Sequence, residues 1–180
     1  LPFGAMAEEP AVALPFGVAF GMDLETAAQT VGEDAAIEEW EDAPGIGSVY
    51  LTARPLGIGD VQVSFATLNI TANNSAKEPR LDSIDLSIAF EGDCIAAFHN
   101  TMEALTAVYG TPDSYAYDTY AQESYQEYGN LSISWTTPET RIYLSMNQAY
   151  SENGSVDLSY AYRLNYDLID LEPYMAEPVG

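Results

Sequence analysis

Hydrophobic and polar positions follow two different periods along the chain, and each period predicts one kind of secondary structure. Apolar residues at three- and four-residue spacing predict two helices, over Leu24–Val31 and Cys94–Tyr109. A third, weak helical turn is predicted over residues 35–40, which lie among acidic residues. Each of the first two helices follows a capping aspartate and ends at a glycine: Asp23 and Gly32, then Asp93 and Gly110.

Strict alternation of apolar and polar residues predicts six strands separated by turn-forming residues. The strands cover residues 49–56, 61–70, 84–90, 131–135, 142–146 and 156–162. Within the second strand the apolar positions change parity after Phe65, which predicts a β-bulge. One face of the sheet is expected to pack against the helices through eight residues: Ile84, Leu86, Ile88, Phe90, Trp135, Leu144, Leu158 and Tyr160.

The order of elements, a helix followed by three strands, occurs twice in the chain. Residues 84–90 also match residues 156–162, with Asp, Leu, Ser and Ala identical. We therefore predict an α+β fold in which two tandem helix-plus-antiparallel-meander repeats form one curved sheet with helices on one face. The repeats span 16–91 and 92–164, between an N-terminal tail at 1–15 and a C-terminal tail at 165–180.

Two tandem units of this kind resemble the β-lactamase inhibitory protein fold. The sequence Phe-Gly-Met-Asp-Leu-Glu at 20–25, with Val-Gly at 31–32, is similar to the start of a repeat in the related small outer-membrane assembly lipoproteins. The resemblance covers residues 16–164 in outline and implies a fold rather than an activity. The inhibitor's units carry disulfides, whereas Cys94 is the only cysteine of this chain, and no functional residue is carried over.

The chain of 180 residues is strongly acidic, with 28 Asp and Glu against 5 Lys and Arg and a net charge of -23. A surface of this charge repels nucleic-acid phosphates and anionic lipid heads, so neither is an expected partner. The charge serves solubility, and it also attracts a basic partner. Hydrophobic residues make up 47% of the chain, which is typical of a globular domain, and no run reaches the ~18 apolar residues of a membrane span.

The first residues resemble the end of a signal peptide. Ala5, Met6 and Ala7 form an A-x-A pattern after the apolar residues 1–4, and acidic residues follow directly. We therefore expect a protein exported from a bacterial cell, either secreted or held at the cell surface. The single Cys94 fits a reducing cytoplasm and fits export by an anaerobe equally well.

No motif of a catalytic or cofactor site occurs, and we expect no enzyme activity, no cofactor and no metal. Cys94 and His99 suggest a nucleophile and a base, but five helical residues place them about 140° apart around the helix. Cys94 is more simply a small buried residue, and His99 a solvated one. The acidic residues at 38–42 lack the alternating carboxylates of a calcium loop, and one Cys with one His does not suit zinc.

A tyrosine-rich segment after the second helix is the candidate binding surface. Tyrosine rings give rigid contact area, and neighbouring carboxylates suit a basic or hydroxyl-rich partner. The same rings also suit a role as a cover for the sheet edge, facing inward. The candidate residues are Tyr115, Tyr117, Asp118, Tyr120, Glu123, Tyr125, Glu127 and Tyr128.

Three functions follow from these observations, in order of preference. The first is a non-catalytic exported interaction module whose partner is a protein or a component of the cell envelope. The alternative is a carbohydrate-binding module, since the tyrosine rings also suit stacking on sugars. A hydrolase with two carboxylates comes last, because a small duplicated meander with one His and no recognisable nucleophile is a poor enzyme candidate.

Overall fold

The computed structural model describes residues 12–72, 78–113, 130–148 and 152–163. In these ranges the chain has an α+β fold, in which one open antiparallel sheet of seven strands is accompanied by two α-helices. The helices are a short 3-10 helix (Pro15–Gly17), α1 (Leu24–Val31) and α2 (Cys94–Tyr109). The strands are β1 (Ala36–Glu39), β2 (Gly47–Pro55), β3 (Gln62–Thr71), β4 (Arg80–Ala89), β5 (Asn130–Thr136), β6 (Thr140–Asn147) and β7 (Ser155–Tyr162).

Both α-helices have the predicted bounds, because local hydrogen bonds set their ends. The carboxylate of Asp23 accepts from the backbone N–H of Thr26 at 2.7 Å, and that of Asp93 accepts from the N–H of Ile95 at 3.0 Å. A glycine at positive φ then ends each helix and donates its N–H to the carbonyl four residues earlier: Gly32 to Ala28 and Gly110 to Thr106.

Strand β1 occupies residues for which a helical turn was predicted, so that prediction is wrong. Ala36–Glu39 pairs antiparallel with the first half of β2, where Glu39 lies opposite Gly47. A Cβ on Gly47 would lie 2.1 Å from the carbonyl oxygen of Glu38, so only glycine permits this close approach. Pairing with a distant strand therefore outweighs the weak local helical pattern.

The sheet has the strand order β1-β2-β3-β4-β7-β6-β5, and every neighbouring pair is antiparallel. Strands β4 and β7 meet at its centre, with Leu86 directly opposite Leu158. The two segments that match in sequence are therefore neighbours in the sheet. That the chain is a tandem duplication stays a prediction.

The predicted β-bulge in β3 is confirmed, and it changes which way Phe65 points. Val63 lies opposite Ile88 and Phe65 lies opposite Ser87, which leaves Ser64 as the extra residue. Val63 is buried, whereas Phe65 is 45% exposed. The change of parity thus comes one residue before Phe65 and turns its ring away from the core.

The hydrophobic core lies on the face of the sheet that both helices cover. Seven of the eight predicted core residues are at most 6% exposed; Phe90, just beyond the end of β4, is half-buried and packs against them. Helix α1 contacts β2 and β4, and α2 contacts β6 and β7. The hydroxyls of Tyr109 and Tyr160 share a hydrogen bond of 3.0 Å between α2 and the sheet, and burial raises the pKa of Tyr160 far above its usual range.

Candidate functional site

The face of the sheet that no described helix covers is here called the open face, and a groove crosses its centre. This central groove has a volume of about 310 Å³ and lies over β3, β4, β7 and β6. Leu86 and Leu158 form its floor. Because their side chains are buried in the core on the other face, they line the groove with main-chain atoms.

The side chains of the central groove form two rows that cross the sheet. The first row, read from β3 to β6, consists of directly paired residues that carry a hydroxyl, a carboxylate, a hydroxyl and an aromatic ring: Thr67, Asp85, Ser159 and Tyr143. The second row, read in the opposite direction from β6 to β3, gives the same order of groups: Ser145, Asp157, Ser87 and Phe65. The groove therefore has a local two-fold arrangement about its floor.

Asp85 and Asp157 are the charged groups of the central groove, and both are exposed. Asp85 accepts a hydrogen bond from the Asn69 amide at 2.8 Å, while Asp157 accepts from the Ser155 hydroxyl at 3.0 Å and from that of Ser87 at 3.4 Å. Neither takes part in a salt bridge within the described residues. As diagonal neighbours on adjacent strands, the two aspartates have α-carbons about 7–8 Å apart.

Two aromatic rings stand at the ends of the rows. Phe65 is 45% and Tyr143 is 39% exposed, which is high for such large side chains. The ring of Tyr50 stacks on Phe65 at a centroid distance of 5.8 Å. The Tyr50 hydroxyl donates to a Glu38 carboxylate oxygen at 2.7 Å, and this hydrogen bond raises the pKa of Tyr50. These contacts hold the Phe65 ring in place at its end of the groove.

Each carboxylate has one of the rings as its diagonal neighbour. Phe65 lies opposite Ser87, two residues along β4 from Asp85, and Tyr143 lies opposite Ser159, two residues along β7 from Asp157. We call each combination of a carboxylate and a ring a half-site: Asp85 with Phe65 and Asp157 with Tyr143. A carboxylate near an exposed aromatic ring suits a cationic group, because the carboxylate attracts it by charge and the ring by its π-electrons.

The eight residues predicted from sequence as a binding surface, between Tyr115 and Tyr128, lie outside the described residues. That surface accordingly stays a prediction.

Sequence reasoning missed the central groove, although a signal for it was present. In the matched segments the identical leucine faces the core, while the identical aspartate and serine on either side face the groove. The repeated Asp-Leu-Ser therefore marked both a core position and a polar surface. The sequence pattern did not predict that Phe65 is exposed, because it placed the β-bulge after Phe65 rather than before it.

Cys94 is a small buried residue, as predicted. Its sulfur lies so close to the β6–β7 turn that a Cβ on Gly154 would come within 2.6 Å of it. Burial, and then the charge of Asp93, raises the pKa of the Cys94 thiol, which disfavours the thiolate form. His99 is half-buried, with its ring 5.7 Å from that of Phe98. A nucleophilic role for Cys94 has no support in this geometry.

In the described part of the chain, no group of three or more His, Cys, Asp and Glu side chains is placed to hold a metal ion. None of its helices combines the length and the apolar character needed to cross a membrane. The chain as a whole matches no protein-family model, no curated protein and no solved structure.

Proposed function

We propose that the protein is a non-catalytic interaction module, exported from a bacterial cell, that binds a protein or an envelope component through the central groove. One observation carries the proposal: two exposed rings and two exposed carboxylates meet at the centre of the open face. Because α1 and α2 lie on the other face, a partner reaches this surface without any rearrangement of the described helices.

The chemistry of the groove favours binding to a basic partner. Exposed rings such as Phe65 and Tyr143 provide large contact areas at low cost in conformational entropy. Asp85 and Asp157 provide charge complementarity, and the net charge of -23 accelerates the encounter with a cationic surface. A second copy of the chain is a poor occupant, because it would bring like charges together.

Some hydrolases use two carboxylates as their catalytic groups, but the two in this groove suit binding better. A general acid needs a carboxyl that is held away from water, as in an apolar pocket. Asp85 and Asp157 are both exposed to water, so neither lies in such a pocket. The same groove offers a second candidate function, carbohydrate binding, because hydroxyls such as those of Thr67 and Ser145 lie beside the rings.

We also infer that the fold arose by tandem duplication and is related to that of the β-lactamase inhibitory proteins and the small outer-membrane assembly lipoproteins. The support comes from the groove, where both rows have the same order of groups about the Leu86–Leu158 pair. If the halves are equivalent, Asp85→Asn and Asp157→Asn are expected to weaken binding of the partner equally.

Photo-crosslinking in the cells that naturally produce the protein tests the proposed function. A photoreactive amino acid at Tyr143, at the end of the groove, is expected to give a discrete cross-linked partner. The matched control position is Val108, which is 58% exposed but lies on α2. The same product from both positions, or none from Tyr143, would contradict the proposal. A glycan array separates the alternative, since only a carbohydrate-binding module would give strong, specific signals there.

A further inference from the structure

We infer that the central groove binds two cationic side chains of its partner at once, carried by an extended segment with basic residues at alternate positions. The inference rests on the proposed function and adds the chemistry of the partner segment. It follows from the half-sites, from their separation and from the charge of their surroundings.

The composition of each half-site favours arginine. The guanidinium group is planar, donates hydrogen bonds in a fork that fits a carboxylate, and stacks on aromatic faces. In one half-site Asp85 would accept these hydrogen bonds while Phe65 offers its exposed ring. Asp157 and Tyr143 repeat the arrangement in the other half-site. Two arginines would therefore meet nearly equivalent surroundings.

The separation of the carboxylates matches the spacing of an extended peptide. A strand rises about 3.3 Å per residue, and its side chains alternate between two faces. Residues i and i+2 thus point the same way, about 6.6 Å apart, close to the roughly 7–8 Å between the diagonal positions of Asp85 and Asp157. Basic residues next to each other in sequence would point to opposite faces, so only one of them would reach the groove.

The charge of the surroundings supports the same occupant. The lining of the groove contains carboxylates but no Lys, Arg or His. Arg141 is exposed on the open face two residues before Tyr143 on β6, outside the lining. Its positive charge would repel an arriving arginine, so Arg141→Gln is expected to strengthen binding of a dibasic peptide about twofold.

Two synthetic peptides of equal charge test the inference when each is titrated against the full chain of the protein. The probes are acetylated, amidated Arg-Ser-Arg-Ser and Arg-Arg-Ser-Ser, titrated by calorimetry at low salt. Because only the first places both arginines on one face, it is expected to bind at least about fivefold more tightly. Equal affinity of the two peptides, or no measurable binding of either, would overturn the inference.

Variants then locate the binding in the groove. Asp85→Asn and Asp157→Asn are each expected to remove the preference for alternate arginines, and to the same extent. Glu103→Gln makes the same change in charge at an exposed position of α2 and should leave the preference unchanged. An equal loss in Glu103→Gln would overturn the inference, since long-range charge would then explain the binding.

The proposed function and this inference fail in distinguishable ways. A specific cross-link from Tyr143 without any preference between the two peptides would leave the proposed function standing and refute the dibasic segment. Thermal melting followed by circular dichroism checks that Asp85→Asn and Asp157→Asn still fold, as expected for exposed side chains.

Discussion

Leu86 and Leu158 offer the sharpest test of how the sheet is held together. They lie directly opposite each other on β4 and β7 and are 3% and 1% exposed. Replacing either with alanine removes most of a buried side chain and leaves a cavity between the sheet and the helices. We expect each substitution to lower the free energy of unfolding by about 2–5 kcal/mol. With a urea m-value of about 2 kcal/mol per molar, the midpoint would fall by roughly 1–2.5 M.

The two substitutions are also expected to be coupled. Because the side chains are cross-strand neighbours, the double variant would create one shared cavity, and its cost should differ from the sum of the single costs by about 0.5–3 kcal/mol. Ser159→Ala is the matched control, since Ser159 is next to Leu158 but faces the groove; a change within about 0.5 kcal/mol is expected. Midpoints that stay unchanged in Leu86→Ala and Leu158→Ala would remove both leucines from the core and refute the packing described here.

Gly154→Ala should lower the melting temperature more than Gly92→Ala, and equal shifts would contradict this. Gly154 has φ +78 and a Cβ there would meet Cys94 Sγ at 2.6 Å, whereas Gly92 has φ +82 but nothing within 4 Å. A second prediction concerns Asp82, whose pKa is raised by burial. The folded state therefore keeps this proton to higher pH than the unfolded state does, and the contribution of Asp82 to stability falls as pH rises through that window. Asp82→Asn should flatten the pH dependence of the urea midpoint as pH rises above about 4, and an unchanged slope would argue against it.

The ends of both helices could be predicted from the sequence alone, because they depend on contacts between residues close in the chain. Asp23 and Asp93 cap the backbone two or three residues further on, and each terminal glycine bonds back over four. The alternation of the strands similarly predicted which residues are buried, since a strand with one covered face has a period of two. Those predictions needed no knowledge of which strand pairs with which.

Strand β1 and the position of Phe65 depended on tertiary structure. The acidic residues around 36–39 have no strong local preference, and they form a strand because they pair with β2, where Gly47 permits the close approach of the two backbones. Likewise, the sequence predicted a bulge in β3, but the pairing with β4 decided that Ser64 is its extra residue. A shift by one residue reverses the face of a side chain, so this detail decided that Phe65 lies on the open face.

The central groove shows the same division most clearly. The sequence by itself contained Asp-Leu-Ser twice and predicted that each leucine faces a core. Only the antiparallel pairing of β4 with β7, with Leu86 opposite Leu158, places Asp85 and Asp157 diagonally across one groove. These strands are distant in the chain, and their register depends on how the whole buried face packs against the helices. The local sequence therefore determined that each aspartate lies on the face opposite a core leucine. The tertiary structure decided that the two half-sites form one surface.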